Sequence, residues 1–177
     1  MIARLLGSGF VFFLAVWPAT ATKYNIADST GTLSIEGFIE TNGKTGVLSD
    51  SDIVSWSLTI TGHGAPITLD KGNSSFRIGG RALSATDKSF IFDYSEHLPY
   101  YDHEQFPGTP IYVPRSWLGF FFDPDAQAAI TWWSADPKAP QILGSPGFSI
   151  SIARPDLYLD IWQFVGRTGI KTIATVP

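Results

Sequence analysis

Along Val54–Thr61 (VSWSLTIT) apolar and polar side chains alternate without a break: Trp56, Leu58 and Ile60 on one parity, Ser55, Ser57, Thr59 and Thr61 on the other. A strand turns successive side chains to opposite faces, so this segment must be a half-buried strand with a large indole on its inner side. Leu33, Ile35 and Ile39 alternate in the same way with Ser34, Glu36 and Glu40, and Phe38 stands out of pattern. Between the two runs, Asn42-Gly43-Lys44-Thr45-Gly46 supplies residues that tolerate positive φ and suits a tight reversal. Leu48–Ile53 fits one helical turn, with Ser49 as N-cap and Asp52 three residues on.

The remaining chain repeats this design. Short runs at Ile67–Leu69, Ser74–Ile78, Arg81–Thr86 and Ser89–Tyr94 are separated by Gly-, Pro- and Asn-containing turns about every ten residues. Trp117–Phe122 (WLGFFF) has apolar residues on both parities and reads as a central strand covered on both faces. Gln127–Trp133, Phe148–Ala153, Asp156–Val165 and Ile170–Thr175 complete the set. No sustained 3.6-residue period appears from 22 to 95. The expected fold is all-β: a single antiparallel β-sandwich, jelly-roll or similar, of about ten strands.

The N-terminus stands apart from this domain. One cation at Arg4 precedes the apolar run Leu5–Trp17, Pro18 breaks it, and Ala19-Thr20-Ala21 is a small-x-small cleavage site. The run is too short for the roughly 20 residues of a spanning helix, and the pattern is that of a secretory signal peptide, 1–21, cleaved after Ala21. Residues 22–177 then form one domain, with no integral membrane segment expected in the mature chain. Loss of Arg4 takes the net charge from −4 to −5. With no basic cluster, the phosphate-neutralising patch of a nucleic-acid binder is missing. The chain has no cysteine, which excludes disulfides and thiolate chemistry. An exported domain without disulfides relies on its core, for which thirteen Phe, six Trp and six Tyr are present.

Chemistry-bearing motifs are sparse. The histidines are His63, His97 and His103, and no G-x-S-x-G accompanies them. Asp102, His103 and Glu104, with Glu96 and His97 upstream, form the densest group of metal-ligand types, but the spacing matches neither H-E-x-x-H nor an EF-hand. A solvated polar loop is the simpler reading, and no cofactor is expected. Glu36 and Glu40 would stand about 13 Å apart on one strand face, outside the roughly 5–10 Å of a glycosidase pair. Asn73-Ser74-Ser75 is an N-glycosylation sequon. The aromatic residues carry the stronger signal. Tyr100 and Tyr101 lie in the proline-rich stretch Ser95–Pro114, and Trp132-Trp133 ends a strand. Sugar rings stack their C–H faces on exposed aromatics, and one of two adjacent strand residues must point outward. Against this stands ordinary core packing.

Gly37-Phe38-Ile39-Glu40-Thr41-Asn42-Gly43, Gly46-Val47-Leu48-Ser49, Asp52-Ile53 and Ser55-Trp56-Ser57-Leu58-Thr59-Ile60 together resemble the opening of PEP-CTERM-type bacterial exported proteins of unknown function. Many of those end in a sorting tail with a Pro-Glu-Pro motif, an apolar helix and a basic end; Val176-Pro177 stands where such a Val-Pro-Glu-Pro would begin. The resemblance spans Leu33–Ile60, implies export from a Gram-negative-type bacterium, and supplies no catalytic residues.

The expected role is a non-catalytic structural or adhesive component of the envelope or extracellular matrix, located in the periplasm, at the cell surface or outside the cell. The alternative is a carbohydrate-binding module that holds extracellular polysaccharide with Tyr100, Tyr101 and the outward member of Trp132/Trp133. A hydrolase built on Asp102–Glu104 ranks third. The sequence assigns no oligomeric state.

Overall fold

The computed structural model describes residues 20–62, 64–96, 116–122, 128–134, 146–154 and 159–177. Thirteen strands are seen among them, every pair antiparallel. They are β1 (Thr22–Thr30), β2 (Leu33–Thr41), β3 (Gly46–Val47), β4 (Ile53–Thr61), β5 (Ile67–Asp70), β6 (Ser74–Gly79), β7 (Leu83–Ala85) and β8 (Ser89–Asp93), followed by β9 (Trp117–Phe122), β10 (Ala128–Trp133), β11 (Gly147–Arg154), β12 (Leu159–Gly166) and β13 (Ile170–Thr175). They form an eight-stranded sheet, ordered β3-β7-β8-β13-β1-β2-β4-β5, packed on a five-stranded sheet ordered β12-β11-β10-β9-β6. The all-β sandwich is therefore as the alternation predicts. Its connectivity is not that of a jelly roll through β9–β12, which run as a simple meander, whereas a jelly roll carries successive strands between sheets. No helix among the described residues is long and apolar enough to cross a membrane.

Alternation fixes the two inner faces. Tyr24, Ile39 and Trp56 share one cross-strand row of the first sheet, and Phe120, Ile130 and Ile150 share one of the second. Trp56 joins the layers: it is 6 % exposed, its ring meets Phe76 at 4.8 Å and Phe120 at 5.9 Å, and its Nε1 donates to Ser74 Oγ at 2.9 Å. Phe38, out of pattern in the sequence, keeps register and faces outward, where Lys23 Nζ sits 3.7 Å above its ring.

The stretch 42–46 does not make the expected tight reversal. β2 and β4 are neighbours, but the chain between them leaves the pair to place β3 against β7 at the far edge, and then forms a 3-10 turn at Asp50–Asp52. That turn is capped as predicted, since the Asp52 carboxylate accepts from Ser49 N at 2.8 Å. It also accepts from Ser49 Oγ (2.8 Å), Lys44 Nζ (2.7 Å) and Asn42 Nδ2 (3.1 Å), so a carboxylate 5 % exposed is fully provided with donors. Burial by itself pushes this carboxyl up; the hydrogen bonds from Lys44, Ser49 and Asn42 together outweigh it and hold the group well below the ordinary carboxylate range.

Two further ties span the layers. On the inward parity of β12, Gln163 accepts from Thr32 N (2.9 Å) and Leu33 N (3.0 Å) and donates to Thr32 Oγ1 (2.9 Å), gripping the β1–β2 turn. That turn needs Gly31, at φ +59°, and a Cβ there would meet the Gln163 amide. Arg167 pairs with Asp28 of β1 while its guanidinium lies 5.3 Å from the Phe148 ring centre.

Candidate functional site

Trp132 is the inward member of the tryptophan pair. It is fully buried and stacks on Phe148 at 4.9 Å with an interplanar angle of 27°. Its register partners Leu118 and Phe148 are themselves fully buried, so its neighbours consume the ring and it leaves the set of candidate ligand-binding residues. Trp133 faces outward, half-buried, stacked on Phe164 at 5.2 Å and 22°. Tyr100, Tyr101, Asp102, His103 and Glu104 lie outside the described residues, as do His63 and His97. No group of three or more His, Asp or Glu among the described residues could hold a metal ion.

The outer face of the five-stranded sheet carries more aromatic surface than the sequence singled out. Directly paired residues of antiparallel strands share a face, so Gly79, Trp117, Trp133, Gly147 and Gly166 form one outward row across β6, β9, β10, β11 and β12. Arg77, Gly119, Thr131, Ser149 and Phe164 form the next, and Ser75, Phe121, Ala129 and Ser151 the third. Trp117 and Phe121 are half-buried and meet edge to face, 5.9 Å apart at 70°. The aromatic strands β9 to β12 span three strand spacings, roughly 14 Å.

Glycines seat these rings. A Cβ at Gly79 would collide with the Trp117 indole nitrogen, and one at Gly119 would lie 2.5 Å from Phe121 Cζ and 3.1 Å from Trp117 Cζ3. At Gly147 it would strike both the Phe164 ring and the Val165 carbonyl oxygen. None of the three has the positive φ that would call for glycine on backbone grounds. Each is glycine because ring atoms occupy the space a Cβ would need, and each carries the intrinsic strand cost of glycine, roughly 0.5–1 kcal/mol relative to an alanine that fits. The signal was present as Trp117-x-Gly119-x-Phe121 on one parity. It was hidden because Leu118 and Phe120 make the other parity equally apolar.

Other polar groups are committed to structure. The Ser116 hydroxyl donates to Glu96 and accepts from Arg81 N (2.9 Å) and Ala82 N (3.2 Å), so both lone pairs are taken. Asn73 of the sequon accepts from Asp70 N (2.9 Å) through Oδ1 and donates to the Thr68 carbonyl (2.9 Å) through Nδ2, the atom a glycan would need. On the first sheet the outer face is hydroxylated: Ser34 and Thr61 share a hydrogen bond of 2.8 Å, Thr59 and Thr68 one of 2.9 Å, and Glu36 and Glu40 stand on the same face.

Fold and surface together define an antiparallel β-sandwich with one hydroxylated face and one aromatic face. Comparison with family models, curated proteins and solved structures finds no match for this chain.

Proposed function

We propose that this is an exported, non-catalytic adhesive domain of the bacterial envelope or extracellular matrix, and that it holds polysaccharide against the outer face of its five-stranded sheet. Its N-terminal 21 residues and its resemblance to PEP-CTERM-type exported proteins support export. The observation that carries the binding reading is the ring platform: Trp117 and Phe121, with the Trp133–Phe164 pair beside them, seated on strand glycines. Hydroxyls of Ser75, Thr131 and Ser151 are interleaved with those rings. Apolar ring faces with a few placed hydrogen-bonding groups suit a sugar, which is apolar on its C–H faces and polar at its rim. The test is binding of the mature chain to a panel of bacterial and plant polysaccharides. Trp117→Ala and Trp133→Ala should each weaken saturable binding about tenfold or more, as loss of a stacked aromatic anchor does elsewhere, while Phe38→Ala on the opposite sheet leaves it unchanged. Equal binding by all four folded proteins would remove the aromatic face as the site.

A further inference from the structure

We infer that the polysaccharide is an anionic one bearing carboxylates, and that Arg77 receives the acid group beside the ring platform. This rests on the glycan reading above. Arg77 is exposed, sits on the outward parity of β6, and is register-paired with Gly119, over which the Trp117 and Phe121 rings lie. Its own strand neighbours on that face are Ser75 and Gly79, so neither a bulky nor a charged side chain stands between it and the rings. Lys44 is spent on Asp52, Arg167 on Asp28, Lys23 over Phe38 and Lys71 on the Val54 carbonyl. Among the described residues the Arg77 side chain makes neither an ion pair nor a hydrogen bond. Arg81, Lys88 and Lys171 are likewise without a side-chain partner there, but Arg81 follows β6, Lys88 precedes β8 and Lys171 lies on β13 of the other sheet, so among these only Arg77 stands in a row paired with the ring-bearing β9. Asp50, at the adjoining strand edge, accepts from Ile78 N at 2.7 Å and forms no ion pair with Arg77. A planar guanidinium fork carried on the strand beside the ring-bearing β9 suits a carboxylate on a sugar stacked on those rings. The mature chain is acidic overall, so long-range attraction does not bring a polyanion here. At physiological salt, charges beyond about 8 Å are largely screened and the local pair decides.

The experiment measures binding of the mature chain and of Arg77→Gln and Arg77→Lys to polygalacturonate, to the same polymer after carboxyl reduction, and to a sulfated glycan. Far-ultraviolet circular dichroism and thermal unfolding establish that each variant is folded. Wild type should prefer the uronate polymer to its reduced form about tenfold or more, as a charge-assisted hydrogen-bonded pair allows. Arg77→Gln should erase that preference, and Arg77→Lys, a point charge lacking the fork, should restore part of it. Equal binding to the uronate and reduced polymers, unchanged by Arg77→Gln, would overturn the inference and leave the glycan reading standing. Preference for the sulfated glycan over the uronate would overturn the carboxylate assignment. Failure of folded wild type to bind any of the three would overturn this inference, and failure across the wider polysaccharide panel would take the glycan reading with it.

Discussion

Gly147 and Gly166 face each other across β11 and β12 in one outward row, yet alanine should act on them with opposite sign. At Gly166 a new Cβ finds its nearest atoms, those of the Phe164 ring, at 3.9 Å, an ordinary contact. Replacing a strand glycine then stabilises by roughly 0.5–1 kcal/mol through reduced freedom of the unfolded chain. At Gly147 the Cβ lands inside 3.0 Å of the Phe164 ring and of the Val165 carbonyl oxygen. The ring can swing away, but the carbonyl belongs to the β12 ladder and cannot move alone. Overpacking of this kind costs about 1–3 kcal/mol, which exceeds the entropic gain. Gly147→Ala should therefore destabilise by about 1–2 kcal/mol, and the two variants should differ by about 2 kcal/mol, or about 4–8 °C in Tm for a chain of this size. Urea unfolding followed by tryptophan emission measures both midpoints, and near-ultraviolet circular dichroism reports the Trp133–Phe164 stack that Gly147→Ala should loosen. A Gly147→Ala protein as stable as Gly166→Ala would refute the account of glycine as a ring seat.

Three more perturbations probe the frame that holds the face. Asp52 has a depressed folded-state pKa, so its contribution is present above the ordinary aspartate value near 4 and is lost as pH falls below it toward the folded pKa. Asp52→Asn should cost about 2–3 kcal/mol at pH 7 and flatten the acid limb of a stability-versus-pH curve; an unchanged limb would contradict this. Gln163→Leu removes three hydrogen bonds that join β12 to the β1–β2 turn and leaves the Thr32 and Leu33 N–H groups unpaired. A loss of about 2–3 kcal/mol in urea unfolding is expected. Deleting 170–177 removes a strand that sits between β8 and β1, splitting the eight-stranded sheet into two groups. The shortened chain should show no cooperative thermal transition, whereas a sharp one would show that β13 is dispensable.

The parity of side chains was legible wherever one face is apolar and the other polar. That placed Trp56 inside, set Phe90 and Phe92 on one side of β8 with Tyr94 buried just beyond its end, and found the Ser49–Asp52 turn from its three-residue spacing. It failed in β9, where Trp117, Gly119 and Phe121 oppose Leu118 and Phe120 and nothing local says which set faces the core. That choice is made by β6 and β10, which present Phe76, Ile78, Ile130 and Trp132 to the same interior. Sheet order was likewise illegible, because pairing the last strand with the first depends on contacts more than a hundred residues apart. Of the Asp52 cluster, Lys44 and Asn42 converge only because the chain leaves β2 and returns through β3. Arg77 reads in sequence as one more exposed charge, and its place beside the rings follows from register alone.

We propose that the aromatic face of the five-stranded sheet binds polysaccharide. The most direct test is calorimetric titration of the mature chain and of Trp117→Ala/Phe121→Ala against the best ligand of a polysaccharide panel. Saturable binding by the wild type is expected, and its loss, by about a hundredfold or more for two ring anchors, in a variant whose circular dichroism is unchanged. Binding by the folded double variant at wild-type strength would contradict it.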